Sequence, residues 1–496
     1  MSAPLALVAL PVLPLVGALA AVLSGRWGGV AAGAVAAGVA GALVALTGAV
    51  AAGGPVRVDI GGWAPPLGIA LEADGLAVAF LALTAGVMAA VAAAARPRFG
   101  AGPDGAATRA GHAFWPLMLW LWAAMNLCFV SRDLFNLYVA LELLTLAAVA
   151  LVAIEGRAET LAAALRYMIF ALMGSLLYLL GAVLLYAAHA TLDIGLLALR
   201  VAPGPPDRVA MGLLTAGLAV KTALFPFHAW LPPAHAGAPA PASALLSALV
   251  PKASFVILWR LWFEALPDLA APLVLALLGG LGAAAVLYGS VLALMQDRLK
   301  LIVAYSTVAQ VGYLFLVFPL AGGAAAAQPW SAGAWSGAGF HALSHGLAKA
   351  AMFLCAGLLM TAAGGDRLAQ LRGLARAMPM TVFAFGLAAV ALTGLPPSGG
   401  FTAKYLMMTS AFAAGQPLWA AVLVLGGLLA AAYLYRPMAH LMARERPEGA
   451  APVAVSRAAQ AVPLALALLA IGLGIASAPV HALMQIGRPG AAEEGL

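Results

Sequence analysis

Apolar residues in this chain run unbroken for about 20 positions at a time, the length an α-helix needs to cross a hydrocarbon core of about 30 Å. Gly, Pro and charged residues punctuate the runs. The pattern predicts about fourteen helices, with cores near 4–23, 28–52, 74–95, 113–131, 133–153, 160–188, 208–226, 240–263, 269–294, 299–320, 335–362, 379–408, 416–441 and 457–480. A membrane β-barrel would alternate apolar and polar positions along short segments instead. One stretch departs from the pattern: "PVRVDIGGWAPPLGIALEAD" (55–74) alternates and carries Gly/Pro turns, which predicts a short extramembrane hairpin. The amino terminus is apolar from Leu5 with no basic residue before it. That predicts a retained first helix rather than a cleaved signal peptide.

Composition removes the main alternative. A length of 496 residues would suit three soluble domains at about 150 residues each. However, 64% of residues are hydrophobic, 9% are charged and the mean hydropathy is +1.02. A soluble surface needs about 25% charged residues. The fold class is therefore an all-α polytopic membrane protein with about fourteen transmembrane helices. The net charge of +7 does not signal nucleic acid, because the basic residues form no stripe interleaved with aromatics. They sit in short loops and set topology. Fourteen spans put both termini on one side. With that side outside, the inner loops hold Arg26, Arg96, Arg98, Arg109, Arg157, Arg298, Lys300, Arg367, Arg372, Arg376, Arg444, Arg446 and Arg457, and the outer segments hold Arg57, Arg132, Arg200, Arg208 and Arg488. Thirteen against five predicts both termini outside. Cys128 and Cys355 fall in apolar helices and match no metal or redox spacing. No cofactor fingerprint is present, and the glycines of "GGLGAAAVLYGS" (279–290) read as close helix packing.

The remaining charges are in unexpected places. Of five lysines, only Lys300 falls at an expected loop; Lys221, Lys252, Lys349 and Lys404 lie within apolar runs. A mid-bilayer charge costs about 2.5–3.5 kcal/mol on insertion scales. Lysine can release and recapture a proton on burial, whereas arginine stays charged, so four buried lysines point to proton handling. Among the acids, only Glu142 lies deep in a run. A buried carboxylate needs a cation to stay ionised, and a lysine at about 4 Å supplies about 4 kcal/mol at an effective dielectric of 20. A pair that opens and closes is a switch. Arg260 and Arg436 lie near helix ends, where snorkelling to the interface accounts for them.

Two runs are broken. Pro226 follows Lys221 by about one helical turn, and Gly394, Pro396, Pro397, Gly399 and Gly400 precede Lys404. Irregular backbone at membrane depth is tolerated where it lines a watery cavity or is buried in protein. The breaks fall in the seventh and twelfth runs. An offset of five helices inverts the second copy, the pattern of inverted transporter repeats. The eleventh run carries His341, His345 and Lys349 at i, i+4 and i+8, one face about 12 Å long. Three titratable groups on one face suggest a relay. His228 and His235 flank the first break as supporting candidates. No carboxylate or thiolate joins the histidines, so no metal is expected.

Several of these segments, "FNLYVALELL", "AVKTALFPFHAWLPPAHAGAPAPASALLSALVPKASF", "FHALSHGLAKAAMFLCAG" and "LTGLPPSGGFTAKYL", resemble the proton-conducting antiporter family. That family holds subunits of Mrp-type multisubunit sodium/proton antiporters and the antiporter-like membrane subunits of respiratory complex I. The resemblance covers about 60–440. Length and "GGWAPPLGI" look most like the Mrp D type, with complex I M and N types close behind. It implies proton-transfer roles for Glu142, Lys221, Lys252, His345, Lys349 and Lys404. It also implies other membrane subunits as partners, with protons as cargo and Na+ as a candidate. The expected organisation is 1–112 (helices 1–3 with the hairpin), 113–265 (first repeat), 266–445 (inverted second repeat) and 446–496 (helix 14 and tail). Three positions depart from the family's pattern: Pro233 in place of a loop acid, Pro251 directly before Lys252, and Gln310 in place of histidine. No long lateral helix is expected after residue 480, unlike the largest complex I subunit type.

Four functions compete: an antiporter subunit, a redox-driven pump module, a lipid-modifying enzyme and a scaffold. The titratable groups lie in series at mid-span rather than clustered near the headgroups, which disfavours the enzyme. A scaffold leaves four buried lysines without a purpose.

Overall fold

The computed structural model describes residues 1–100, 108–201, 204–445 and 453–490, so Arg446 and the first residues of the expected last segment lie outside the described residues. Each of the fourteen apolar runs is helical. Two long helices open the chain, α1 (Ala3–Ser24) and α2 (Gly28–Gly53). The expected hairpin follows: β1 (Val56–Asp59) pairs antiparallel with β2 (Ala70–Ala73), Arg57 opposite Glu72. Next come α3 (Gly75–Phe99), α4 (Arg109–Val130), α5 (Leu134–Ala153), α6 (Ala158–His189), the short α7 (Ile194–Arg200) and α8 (Pro205–Thr222). Asp74, Thr108, Asp133 and Asp193 cap the first turns of α3, α4, α5 and α7, each accepting from a backbone N–H three residues on.

The middle of the chain is interrupted. A 3-10 turn (Phe227–Trp230) leads into α9 (Leu231–Gly237), then α10 (Ala240–Ala248) and α11 (Val250–Arg260), which ends in a π-helical turn, Leu261–Ala265. Then follow α12 (Pro272–Leu294), α13 (Leu299–Leu314), α14 (Val317–Ala321) and the long α15 (Trp330–Ala363). The second break separates α16 (Pro379–Thr393) from α17 (Gly399–Ala413). The chain closes with α18 (Pro417–Leu441), α19 (Arg457–Ile475) and α20 (Ser477–Gln485). Among the described residues, 12 segments are long and apolar enough to cross a membrane, the first containing both α1 and α2.

Small residues set the helix spacing. A Cβ on Gly217 of α8 would sit 2.4 Å from the Gly174 carbonyl oxygen of α6, and one on Gly282 of α12 would sit 2.5 Å from the Gly312 oxygen of α13. Backbones touch at both places, as small residues permit in bilayers. A Cβ on Gly279 would meet the Pro319 ring and one on Gly289 the Ala309 backbone, so Gly279, Gly282 and Gly289 are packing positions, while Gly280 faces open space. The most enclosed spans are Ala240–Ala265 and Leu299–Ala321, whose most apolar stretches are 100% and 89% buried. Polar side chains on them therefore lie at the centre of the bundle, away from lipid.

One feature of the middle was not expected. The run 240–263 is broken between α10 and α11, where Leu249 departs to φ −118°. The cause is Pro251, whose ring has no N–H for the carbonyl four residues back, that of Ser247.

Candidate functional site

At the first break, α8 stops because Ala223 takes a left-handed conformation (φ 59°) and Pro226 follows. The Trp230 indole N–H donates to the Val220 carbonyl at 3.1 Å, a second bond to an oxygen that also accepts from the Ala223 N–H at the helix end. Lys221 lies in this last turn, at the negative end of the helix dipole. Its Nζ donates to Glu142 Oε1 at 3.2 Å and to Thr145 Oγ1 at 3.0 Å. Glu142 also accepts from the Ser175 hydroxyl of α6. The predicted Glu–Lys pair therefore exists, with two hydroxyls completing it. Among the described residues, no other lysine has a carboxylate within 4 Å.

A cavity of about 10 Å³ beside Lys221, between Thr145, Tyr167, Val250 and Ser254, leads towards α11. That is close to the room one water needs. Thr222 Oγ1 donates to Ser254 Oγ at 2.9 Å alongside it. Lys252 follows, fully buried, with Nζ donating to the Ser247 carbonyl at 2.8 Å. This is the acceptor that Pro251 leaves free. The proline does not displace the lysine; it supplies its partner. Ser247 in turn meets Thr307 of α13 at 2.8 Å between hydroxyls.

Across from Lys252, the α15 face carries the three predicted groups. Lys349 Nζ donates to the Val303 carbonyl at 2.9 Å and to the Ser306 hydroxyl. His345 is 1% exposed, and neither ring nitrogen has a hydrogen-bond partner among the described residues. It lies within electrostatic reach of Lys252, Lys349 and His341. The His341 and His345 rings stack at 5.8 Å, and His341 Nε2 pairs with the Gln310 carbonyl at 2.8 Å. The Gln310 side-chain amide donates to the Leu392 carbonyl (3.1 Å) and the Tyr433 hydroxyl (3.3 Å).

Lys404 ends the series. Its Nζ donates to the Thr393 carbonyl at 2.8 Å, the end of α16, and stands 4.7 Å above the Tyr313 ring. That ring meets His341 edge-on at 5.2 Å. Gly394 makes the geometry possible: its φ is +84°, and a Cβ there would fall 2.6 Å from Lys404 Cδ. Both breaks thus place an ammonium at the negative end of a half-helix.

The structure brings together Glu142, Lys221, Lys252, His341, His345, Lys349 and Lys404. His235 lies within electrostatic reach of Lys252 and Lys349. His228 stands apart, packed between Phe225 and Tyr288 at 5.7 and 5.1 Å. Sequence reasoning missed the hydroxyl partners Thr145, Ser175, Ser247, Ser306 and Thr307. The spacing of Ser306, Gln310 and Tyr313 in "AYSTVAQVGY", i, i+4 and i+7, was a readable signal of a polar helix face.

Two expectations are corrected. Lys300, expected in a loop, is 2% exposed in the first turn of α13 and donates to the carbonyls of Ala238 and Ala236. Arg260, expected to snorkel, is buried and holds Asp74 bidentately at 2.9 and 3.0 Å and Glu264 at 2.6 Å. Glu264 continues to Arg132, and Arg132 Nε stands 3.7 Å from Glu72 of the hairpin. This network ties β2, the start of α3 and the end of α11 together. Burial works against the Asp74 charge, but the Arg260 guanidinium, the Ala77 N–H and Arg132 together hold the carboxyl below its ordinary value. Arg436 does lie at an end, donating to the Gln296 carbonyl at 3.1 Å and pairing with exposed Asp297 at 3.0 Å.

Residues 131–430 match the family described as NADH:quinone oxidoreductase/Mrp antiporter, TM. The chain is 38% identical over 398 residues to NADH-quinone oxidoreductase subunit N of Desulforudis audaxviator, covering 79% of this chain and 76% of the relative. It is 29% identical over 379 residues to the D-type subunit of the Na(+)/H(+) antiporter of Alkalihalophilus pseudofirmus, covering 75% and 73%. A chain in the structure of the Mrp complex from Dietzia sp. superposes with a TM-score of 0.87 at 24% identity, covering 99% of this chain and 97% of that one.

Proposed function

Because the chain belongs to the NADH:quinone oxidoreductase/Mrp antiporter family, we propose that it is a proton-translocating membrane subunit of a multisubunit monovalent cation (Na+)/proton antiporter. The observation that carries this reading is the Glu142–Lys221 pair at one end of a buried series of lysines and histidines. Charges at this depth are expensive and mark ion pathways. In the closed state Glu142 holds Lys221 charged. When the pair opens, the ammonium loses its counter-charge and passes one proton into the water-sized cavity beside Val250 and Ser254, on the helix that carries Lys252. The proton moves on to His345, which has Lys349 one turn to one side and His341 one turn to the other, and His341 leads on to Lys404. Each group gives up the proton it received, so no charge accumulates. His345 suits an intermediate role, since both ring nitrogens are free of other bonds among the described residues and an imidazole takes a proton at one and releases it at the other.

In this reading, 113–265 and 266–445 are the two inverted repeats, each with one broken helix and one lysine at its break. Residues 1–112 and 446–496 flank them. The chain lies in a bacterial-type inner membrane with other membrane subunits as partners, both termini outside, as the arginine distribution favours. The assembly is tested in everted vesicles by cation-driven proton flux. Lys221→Ala and Glu142→Gln should each abolish most of it; wild-type flux in both would refute the reading. A second reading, a proton-pumping subunit of a redox-driven complex of the complex I type, is favoured by the 38% identity to an N-type subunit of NADH-quinone oxidoreductase. Purifying the native assembly separates the two: flavin or iron–sulfur absorbance in it selects the second.

A further inference from the structure

The outer surface of the bundle carries an apolar slot of about 610 Å³ between α16 and α18. Phe383 and Leu387 of α16 and Tyr435 and Met438 of α18 form its walls, and among the described residues no charged side chain lines it. Phe383 and Tyr435 are 59% and 71% exposed, so the slot opens sideways, away from the buried lysines. Gly386 makes the room: a Cβ there would find Met438 Cε at 3.5 Å and no closer neighbour. The mouth lies between Ala375 and Met442. There the Gly373 N–H donates to the His440 carbonyl at 3.0 Å and pins the loop before α16 to the end of α18. The far end is Thr393 and Leu395, at the second break. From Met442 to Ala431 the slot follows α18 for about 16 Å at about 1.5 Å per residue. That is close to half of a hydrocarbon core about 30 Å thick. The slot spans one leaflet and stops.

Charge gathers at the mouth. Arg376 follows Ala375, Arg372 precedes the pinned Gly373, and Arg444 stands two residues after Met442. All three are exposed. Among the described residues none of them has a carboxylate within 4 Å, because Asp366 and Asp297 of the adjoining loops are held by Arg298 and Arg436. Exposed Glu445, next to Arg444, offsets one charge of the three. Basic clusters at a membrane surface attract anionic headgroups, on the order of fivefold in affinity per arginine. We propose that the slot binds an anionic phospholipid, its phosphate among Arg372, Arg376 and Arg444 and one acyl chain lying between α16 and α18. Length favours an acyl chain over a helix of a partner subunit: a membrane helix runs on through the second leaflet, whereas the slot closes at the break. Charge favours an anionic head over a zwitterionic one, whose ammonium would stand among arginines. The tip of the chain reaches Thr393, the residue whose carbonyl holds Lys404 at 2.8 Å. The site does not rest on the proton-translocation reading, since its occupancy is read directly.

The probe is phosphatidylglycerol with a diazirine at the end of one acyl chain, carried in phosphatidylcholine vesicles that hold the whole purified assembly. After irradiation, peptide mass spectrometry locates the adduct. The expected result is labelling within 386–395 and 431–438, displaced by unlabelled phosphatidylglycerol and not by added phosphatidylcholine. Arg372→Gln, Arg376→Gln and Arg444→Gln combined should lower that labelling at least about tenfold, given roughly fivefold per arginine. Gly386→Leu fills the slot with a side chain suited to lipid and should abolish labelling while native gels show wild-type assembly. Should Gly386→Leu fail to assemble, the combined arginine variant decides, since its three side chains are exposed. Equal labelling by a phosphatidylcholine probe, or undiminished labelling in the arginine variant, marks ordinary boundary lipid and overturns the site. Labelling of other lipid-facing helices with none on α16 and α18 means that a partner subunit covers the slot, and overturns it as well.

Discussion

Removing the charge on Glu142 while keeping its shape is the sharpest perturbation of the proposed switch. Lys221 Nζ and Glu142 Oε1 are 3.2 Å apart. At an effective dielectric of 20 that separation corresponds to an attraction of about 5 kcal/mol. Glu142→Gln deletes it, although the amide oxygen still accepts from Lys221, so about 1 kcal/mol of hydrogen bonding stays. The net loss of about 3–5 kcal/mol is the range seen when one partner of a buried pair is removed. Since about 1.4 kcal/mol is tenfold, the difference between closed and open states shrinks by at least two orders of magnitude. Glu142→Asp is the graded control. Retracting the carboxylate by one methylene, roughly 1.5 Å, leaves an attraction of about 3.5 kcal/mol and predicts a loss of roughly tenfold. The assay is the initial rate of cation-driven acidification or alkalinisation in everted vesicles, read with a ΔpH dye and normalised to assembled complex. The expected order is Glu above Asp above Gln. A Gln variant within about twofold of wild type, or an Asp variant below Gln, would show that the pair holds the helices together and does not gate protons.

Other variants probe the supporting geometry. Pro251→Ala restores the N–H that bonds the Ser247 carbonyl and so competes with Lys252 for it; flux should fall while thermal stability of the solubilised assembly holds or rises. Gly394→Ala forces a left-handed residue, a cost of about 1–2 kcal/mol, and drives its Cβ into Lys404. It should depress flux nearly as far as Lys404→Ala does, and full flux would mean the ammonium need not sit at the Thr393 carbonyl. Asp74→Asn breaks the bidentate Arg260 pair and should cost about 3–5 kcal/mol of stability, read by hydrogen exchange in β2 and the start of α3. Because the folded Asp74 carboxyl lies below its ordinary value, its contribution is complete above that ordinary value and disappears as pH falls through the lowered one. Asp74→Asn should therefore flatten the acid limb of the stability profile, and an unchanged limb would refute the assignment.

Local signals carried much of this fold. Apolar runs located the helices, and Gly/Pro clusters located the breaks at Lys221 and Lys404, because both depend on residues adjacent in the chain. Charge placement misled where a run looked like a loop: "DRLK" hides Lys300, which enters the protein because the carbonyls of Ala236 and Ala238 face it from another part of the chain. Arg260 misled for the same reason, its partner Asp74 being 186 residues away. Of the hydroxyls that complete the site, Ser306 was readable in its spacing with Gln310 and Tyr313, whereas Thr145 and Ser175 carry no signal of their own, since each also bonds the carbonyl four residues back in its own helix.

Pro251 joins these local and distant effects. Read along the chain, it stands beside Lys252 and threatens to move it. In the fold, it frees the Ser247 carbonyl, and that acceptor lies inside the bundle where, among the described residues, no carboxylate stands within 4 Å of the lysine. The same device recurs at Lys404, where Gly394 ends α16 and leaves the Thr393 carbonyl for the ammonium. Lys221, in the last turn of α8, shares the helix-end position but adds Glu142. A carbonyl dipole stabilises a bound proton less than a carboxylate does, so the proposed relay has Lys252 and Lys404 receive a proton without trapping it. Among the described lysines, Lys221 alone has the strong, separable partner. In the proposed relay, these unequal partners give the series one place where a proton is held and several where it passes, and a conformational change that moves α5 against α8 acts on the holding step alone.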